Sequence, residues 1–158
     1  MRRAFADALL TKMGENDSIV LITADMGYGL WDKVRDTYPN RFFNVGSAEQ
    51  LMIACAAGMA MEGKLPVCYS ISSFAVFRPF EFIRNFMQYE SLPIKIAGGG
   101  RDRDYGYLGY THWAEEDISV LTPFQNLVLF KPTTEVDMQN LLHHYLFNGR
   151  PSYMNLVK

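Results

Sequence analysis

The sequence predicts a three-layer α/β fold: a doubly wound, mostly parallel sheet covered by helices on both faces. Three observations predict it. Short runs rich in Val, Ile and Thr alternate with stretches at helical spacing along the whole chain. No linker, repeat or low-complexity segment interrupts that alternation. The 158 residues, 49% of them hydrophobic, suffice for a single domain over 1–158 with a core of its own.

Each element follows from local signals. Residues 2–13 carry apolar positions at helical spacing and stop at Gly14. SIVLITAD (18–25) reads as a buried strand, LWDKVRDTYP (30–39) as a short helix stopped by Pro39, and RFFNVG (41–46) as a second strand. A helix over 47–62 follows, closed by Gly63. LPVCYSI (65–71) is a strand, and FRPFEFIRNFMQYE (77–90) an amphipathic helix with a proline in its first turn. PIKIAGGG (93–100) is a strand running into glycines. NLVLFKP (126–132), a helix over 134–147 and SYMNLV (152–157) complete the alternation. In such sheets ligands sit beyond the carboxyl ends of the strands, which points to the loops 25–30, 44–49, 71–77 and 98–116.

Charged residues make up 20% of the chain and the net charge is -2, without a basic patch or polybasic run. That argues against nucleic acid or an acidic membrane surface as partner. Cys55 and Cys68 both lie inside apolar runs, as small core residues of a reducing compartment do. No apolar run is long enough to span a bilayer, and MRRAFADALL lacks the apolar core and cleavage site of a signal peptide. The expectation is a cytoplasmic protein.

The stretch NVGSAEQLMIACAAGMAMEGKLP (44–66) concentrates the chemistry. Ser47 and Gln50 fit a capping box, which sets Glu49 in the first turn. There an acid favours the helix dipole, and that alone could explain it. Yet LMIACAAGMAM has no polar stripe, so protein should cover every face of the helix, and its small residues let another backbone come close. A carboxylate at the end of such a helix is pulled toward the neutral form by desolvation and toward the charged form by the dipole. A group so balanced suits general acid–base work.

RFFNVGSAEQLMIACAAGMAMEGKLPVCYSISSF (41–74) resembles the pyrimidine-binding domain of transketolase-like, thiamine-diphosphate-dependent enzymes. TADMG (23–27), FRPFEFIRN (77–85), LPIKIAGGG (92–100), YGYLGYTHWAEEDI (105–118) and NLVLFKPTTEVDM (126–138) are similar to further segments of that domain, so the resemblance covers essentially the whole chain. It implies that Glu49 hydrogen-bonds N1′ of the cofactor's aminopyrimidine and favours the 4′-imino tautomer that deprotonates the thiazolium. It also implies that Phe74 or Phe77, which otherwise read with Phe80 as a core stripe, stack on the pyrimidine. His112, aligned with the family's G-x-T-H histidine, would meet the substrate; by itself it reads as a loop histidine.

Three positions stay open between roles. Asp25 either shapes the cofactor site from a strand end or caps a loop. Arg101 and Arg103 either belong to a solvated tip or meet an anionic substrate group. The loop departs from sugar transketolases: Leu108, Gly109 and Tyr110 replace the acidic-glycine-proline lead, and an upstream histidine is missing. Its form is more similar to split, two-subunit members.

The chain carries no GDG and no paired asparagines, the family's mark of the diphosphate and metal site. The resemblance therefore implies a separate diphosphate-binding subunit that holds Mg²⁺, with thiamine diphosphate at the interface. The helix over 47–62 is the candidate contact in a heterotetramer or homo-oligomer. The expected activity is transfer of a two-carbon ketol or acyl unit between sugar or other carbonyl compounds. The alternatives are a subunit of a 2-oxo acid decarboxylating and ligating enzyme of deoxyxylulose-phosphate-synthase type, and a non-catalytic regulatory partner.

Overall fold

A computed structural model describes residues 1–158. Six parallel strands form one sheet in the order β2-β1-β3-β4-β6-β5: β1 (Ile19–Thr23), β2 (Phe42–Asn44), β3 (Leu65–Ile71), β4 (Lys95–Gly99), β5 (Val128–Phe130) and β6 (Ser152–Leu156). The helices are α1 (Arg2–Glu15), α2 (Asp32–Thr37), α3 (Glu49–Met61), α4 (Ser72–Phe77), α5 (Phe80–Phe82), α6 (Asp117–Leu121) and α7 (Glu135–Phe147). All six strands run in parallel, which agrees with the fold class read from the alternating pattern.

Strand periodicity divides the core in two. Leu21, Val67, Tyr69, Ala97 and Met154 pack with Phe5 and Leu9 of α1, Trp31, and Tyr145 of α7. Ile22, Cys68, Ile96 and Tyr153 face the other way, against Met52, Ile53, Ala56 and Ala57 of α3 and Ala75 and Val76 of α4. Cys68 is fully buried, and burial pushes its thiol far up. No helix is long and apolar enough to cross a membrane.

The local readings fail where a long-range bond decides. The Ser47–Gln50 capping box is not formed: α3 begins at Glu49, its N-cap is Ala48, and no side chain caps it. Within this chain α3 is left uncovered at Leu51 and Met61, which are 50% and 62% exposed. The helix expected over 77–90 starts earlier and is broken. It begins at Ser72, directly after β3, is interrupted at Arg78–Pro79, and continues through α5 into a π-helix over Ile83–Tyr89. The Glu90 amide reaches back five residues to the carbonyl of Asn85.

The segment between β4 and α6 has almost no regular structure, only single helical turns at Gly106–Leu108 and Tyr110–His112. β6 holds both of its ends. Arg101 Nε donates to Asn155 Oδ1 at 2.5 Å, and its Nη2 donates to the carbonyls of Asn155 (2.5 Å) and Pro132 (2.7 Å). Asn155 Nδ2 donates to Asp117, whose carboxylate also accepts the Tyr153 hydroxyl at 2.5 Å. Burial pushes the Asp117 carboxyl up, and these donors oppose the shift. The Asn155 amide thus links a buried cation to a buried anion.

Candidate active site

The site lies at the carboxyl ends of β1, β2, β3 and β4. The turn before α3 is built by Asn44, whose Oδ1 accepts the amides of Gly46 (3.0 Å) and Asp25 (2.9 Å). Gly46 has φ +74°, a conformation glycine adopts without strain, and it reverses the chain into α3. Asp25 sits in the same left-handed region at φ 55° and accepts the Tyr28 hydroxyl at 2.6 Å, which with Asn44 holds its carboxyl below the usual range. Asp25 therefore clamps the turn that delivers Glu49.

Glu49 is 2% exposed. Its Oε1 accepts the hydroxyl of Ser70 at 3.0 Å, and Ser70 reaches it because it lies on the α3 face of β3. Its Oε2 pairs with Nη1 of Arg78 at 2.8 Å. A buried carboxylate needs such partners. The Arg78 guanidinium also lies 3.8 Å from the centroid of the Phe74 ring, a cation–π contact.

Phe74 connects the acid to the histidine. Its ring meets His112 edge-on at 4.9 Å, and Tyr105 closes on the imidazole from 6.2 Å. Nδ1 of His112 bonds Thr111 Oγ1 at 2.9 Å, which leaves Nε2 for another group. Tyr105 can pack there because residue 100 is glycine, φ +90°, and a Cβ at that position would collide with the tyrosine ring. Phe74, Phe77, Arg78, Tyr110, Trp113 and Glu116 line a cleft of about 450 Å³. Ser47, Ala48, Glu49, Gln50 and Leu51 line a second groove, and Arg78 belongs to both.

The expected site residues thus divide. Glu49, Phe74 and His112 are brought together, and Phe77 lines the same cleft. Phe80 is elsewhere, stacked on Phe124 at 5.4 Å. Arg101 is not a solvated tip residue but a buried clamp, its guanidinium consumed by Asn155 and Pro132. Arg103 stands at the outer rim, paired with Glu115 at 2.9 Å and stacked on Trp113 at 4.4 Å. The sequence reading missed Ser70 and Arg78. Arg78 stood within the quoted FRPFE motif, yet it appeared there as one more helical residue. No three His, Cys, Asp or Glu side chains gather as metal ligands.

The family model for the transketolase pyrimidine-binding domain matches residues 1–158. A relative from Methanocaldococcus jannaschii, named provisionally as a transketolase C-terminal section, is 32% identical over 159 residues, spanning 100% of this chain and 50% of its own. A 1-deoxy-D-xylulose-5-phosphate synthase from Syntrophus aciditrophicus is 35% identical over 152 residues, 95% of this chain and 23% of its own. Among solved structures, a split-gene transketolase described as an inactive β4 tetramer superposes with a TM-score of 0.86 at 30% identity, over 99% of this chain and 50% of that one. The chain thus spans half or less of the proteins it matches. A match that runs from the first residue to the last, on the same fold and with Glu49 at the head of α3, leads to one assignment: the chain belongs to the transketolase pyrimidine-binding domain family.

Proposed function

We propose that this chain is the pyrimidine-binding subunit of a split transketolase-like enzyme that moves a two-carbon ketol unit between sugar or other carbonyl substrates. The observation that carries this reading is the burial of Glu49 at the start of α3, joined through Arg78 and Phe74 to His112. The residues fit the aminopyrimidine of thiamine diphosphate: a planar cationic group, the Arg78 guanidinium, is already held there by an acid edge and an aromatic face. When bound, the cofactor supplies a nucleophilic carbon that breaks and re-forms the bond beside a carbonyl.

The chain's own residues then have separable tasks. Ser70 fixes one oxygen of Glu49 and thereby aims the other at the slot, where it holds the proton shared with N1′. Phe74 gives the ring face, and Phe77 the adjacent wall. His112 keeps its ring between Phe74 and Tyr105 and offers Nε2 to a substrate oxygen that gains charge in the transition state. Asp25 acts through the Asn44 turn rather than by touching the cofactor. Arg103 is the arginine left for an anionic group of the substrate. Diphosphate and Mg²⁺ belong to a separate subunit bearing GDG and paired asparagines, and the exposed side of α3, Leu51 and Met61, is the contact face of the assembly.

Co-purification with that subunit, followed by product analysis, tests the reading. Ketol transfer between sugar phosphates supports it. The similarity to a deoxyxylulose-phosphate synthase favours one second reading, decarboxylation of a 2-oxo acid followed by ligation, which the same assay identifies by release of CO₂. Full activity of an assembly carrying Glu49→Ala would instead mark the chain as a non-catalytic partner.

A further inference from the structure

Arg78 is left without a task of its own by the reading above, although it touches both Glu49 and Phe74. It donates to Glu49 Oε2 at 2.8 Å and lies 3.8 Å from the Phe74 ring centroid. An acid at one edge and an aromatic ring at one face are the two contacts required by a bound aminopyrimidine. A guanidinium satisfies both, because it is planar, cationic and edged with N–H donors. Arginine and heterocycle cannot do so together. Oε1 of Glu49 is held by Ser70, so Oε2 is the oxygen in contention.

The position of Arg78 adds a second, independent observation. It is the only residue shared by the groove at Glu49 and the cleft at Phe74 and Phe77. It stands as the wall between them, so moving it would join the two spaces into one passage from Glu49 toward the His112 loop. Nothing beyond these contacts pins it. Its side chain is 48% exposed while that of Glu49 is 2% exposed, so the arginine can leave and the acid cannot. It is carried by the break between α4 and α5, directly before Pro79, rather than by the interior of a helix. Glu116 lines the same cleft and offers the displaced guanidinium a second carboxylate.

We infer that Arg78 is a built-in plug of the aminopyrimidine slot, holding the contacts of Glu49 and Phe74 until the cofactor's ring displaces it. The plug serves the unloaded chain by neutralising a carboxylate that would otherwise be buried alone. It also weakens cofactor capture, since only the fraction of molecules with Arg78 swung out can accept the ring. The inference rests on the proposed cofactor site.

The test uses the full chain alone and the probe 4-amino-2,5-dimethylpyrimidine, which presents the ring without the diphosphate. Titration is followed by the chemical shifts of Phe74 and Glu49. Arg78→Ala is expected to bind the probe several-fold to ten-fold more tightly than wild type. Arg78→Lys, which can pair with Glu49 but cannot lie flat on Phe74, is expected to fall between them. Glu49→Gln should abolish the gain in the Arg78→Ala background. Should Arg78→Ala not fold, Arg78→Met carries the same comparison. Binding to wild type with equal or weaker binding to the variants overturns the plug and leaves the cofactor site standing. Absence of binding to every variant removes the plug and the aminopyrimidine slot together.

Discussion

Ser73 donates its hydroxyl to the backbone carbonyl of Thr111 at 3.0 Å, across 38 residues of chain, and so fastens the helix that carries Phe74 to the turn that carries His112. This bond acts beside the edge contact of the Phe74 and His112 rings to set the two residues that would face cofactor and substrate relative to each other. Ser73→Ala should lower stability by about 1 kcal/mol. In the proposed assembly it should reduce turnover while leaving cofactor affinity close to wild type, because it moves His112 and spares Glu49. Measuring kcat beside the cofactor Kd distinguishes this from a general loss of fold, which would lower both.

Asn155 should be costly to remove, since its side chain bonds two buried charged groups. Asn155→Leu deprives Arg101 and Asp117 of their shared amide, and leaves Arg101 with the backbone carbonyls of residues 132 and 155 and Asp117 with the Tyr153 hydroxyl and the Ile118 amide. We expect a loss of about 3 kcal/mol, two hydrogen bonds to charged groups at roughly 1.5 kcal/mol or more each. Hydrogen exchange should rise first in residues 101–116, whose two ends this network holds.

Gly100→Ala tests the packing around the histidine. The new Cβ would meet the Tyr105 ring in a backbone region, φ +90°, that side chains avoid. A destabilisation of about 2–3 kcal/mol is expected from strain and overpacking combined. The shifts of the His112 ring protons should change with it, since Tyr105 borders the imidazole.

A pH effect originates at the far end of the sheet. Lys95 is fully buried, and burial lowers its ammonium from 10.5 to about 7. Its partners are neutral: Nζ donates to Asn148 Oδ1 at 2.8 Å and to the Arg150 carbonyl at 2.5 Å. Between the two values the unfolded chain binds more protons than the folded one, so this group's contribution to stability rises with pH across that window. Below pH 7 the cost of burying the charge is present in full. Lys95→Met removes the dependence. The stability of wild type relative to this variant should climb by up to about 1.4 kcal/mol per pH unit from pH 7 to 9. Denaturant unfolding at several pH values checks it, and a constant difference would contradict the assignment.

Much of this molecule was legible in the sequence, and the exceptions share a cause. The strand over 65–71 was readable because its apolar run is bounded by Gly63 and by polar Ser72 and Ser73. Glu49, Phe74 and His112 were singled out by the family resemblance, and the fold places them along one chain of contacts through Arg78. α4 was not, since SSFAVF turns helical immediately after a strand, with no turn residue to announce it. The clamp role of Arg101 depends on Asn155, 54 residues away, and the pairing of Arg78 with Glu49 spans 29. Local pattern is silent about bonds of that reach. The loop over 98–116 gave no sign of its anchors for the same reason, as both lie on the last strand.

The most direct measurement of the central claim is calorimetric titration of thiamine diphosphate, in the presence of Mg²⁺, into this chain assembled with the proposed diphosphate-binding subunit. Wild type is compared with Glu49→Gln, which keeps the size of the side chain and the Ser70 contact. The account predicts binding by the wild-type assembly and a loss of about 10- to 150-fold in the variant, the worth of one hydrogen bond involving a charged group. Equal affinity in the two assemblies would contradict it, because the cofactor would then not be held by Glu49.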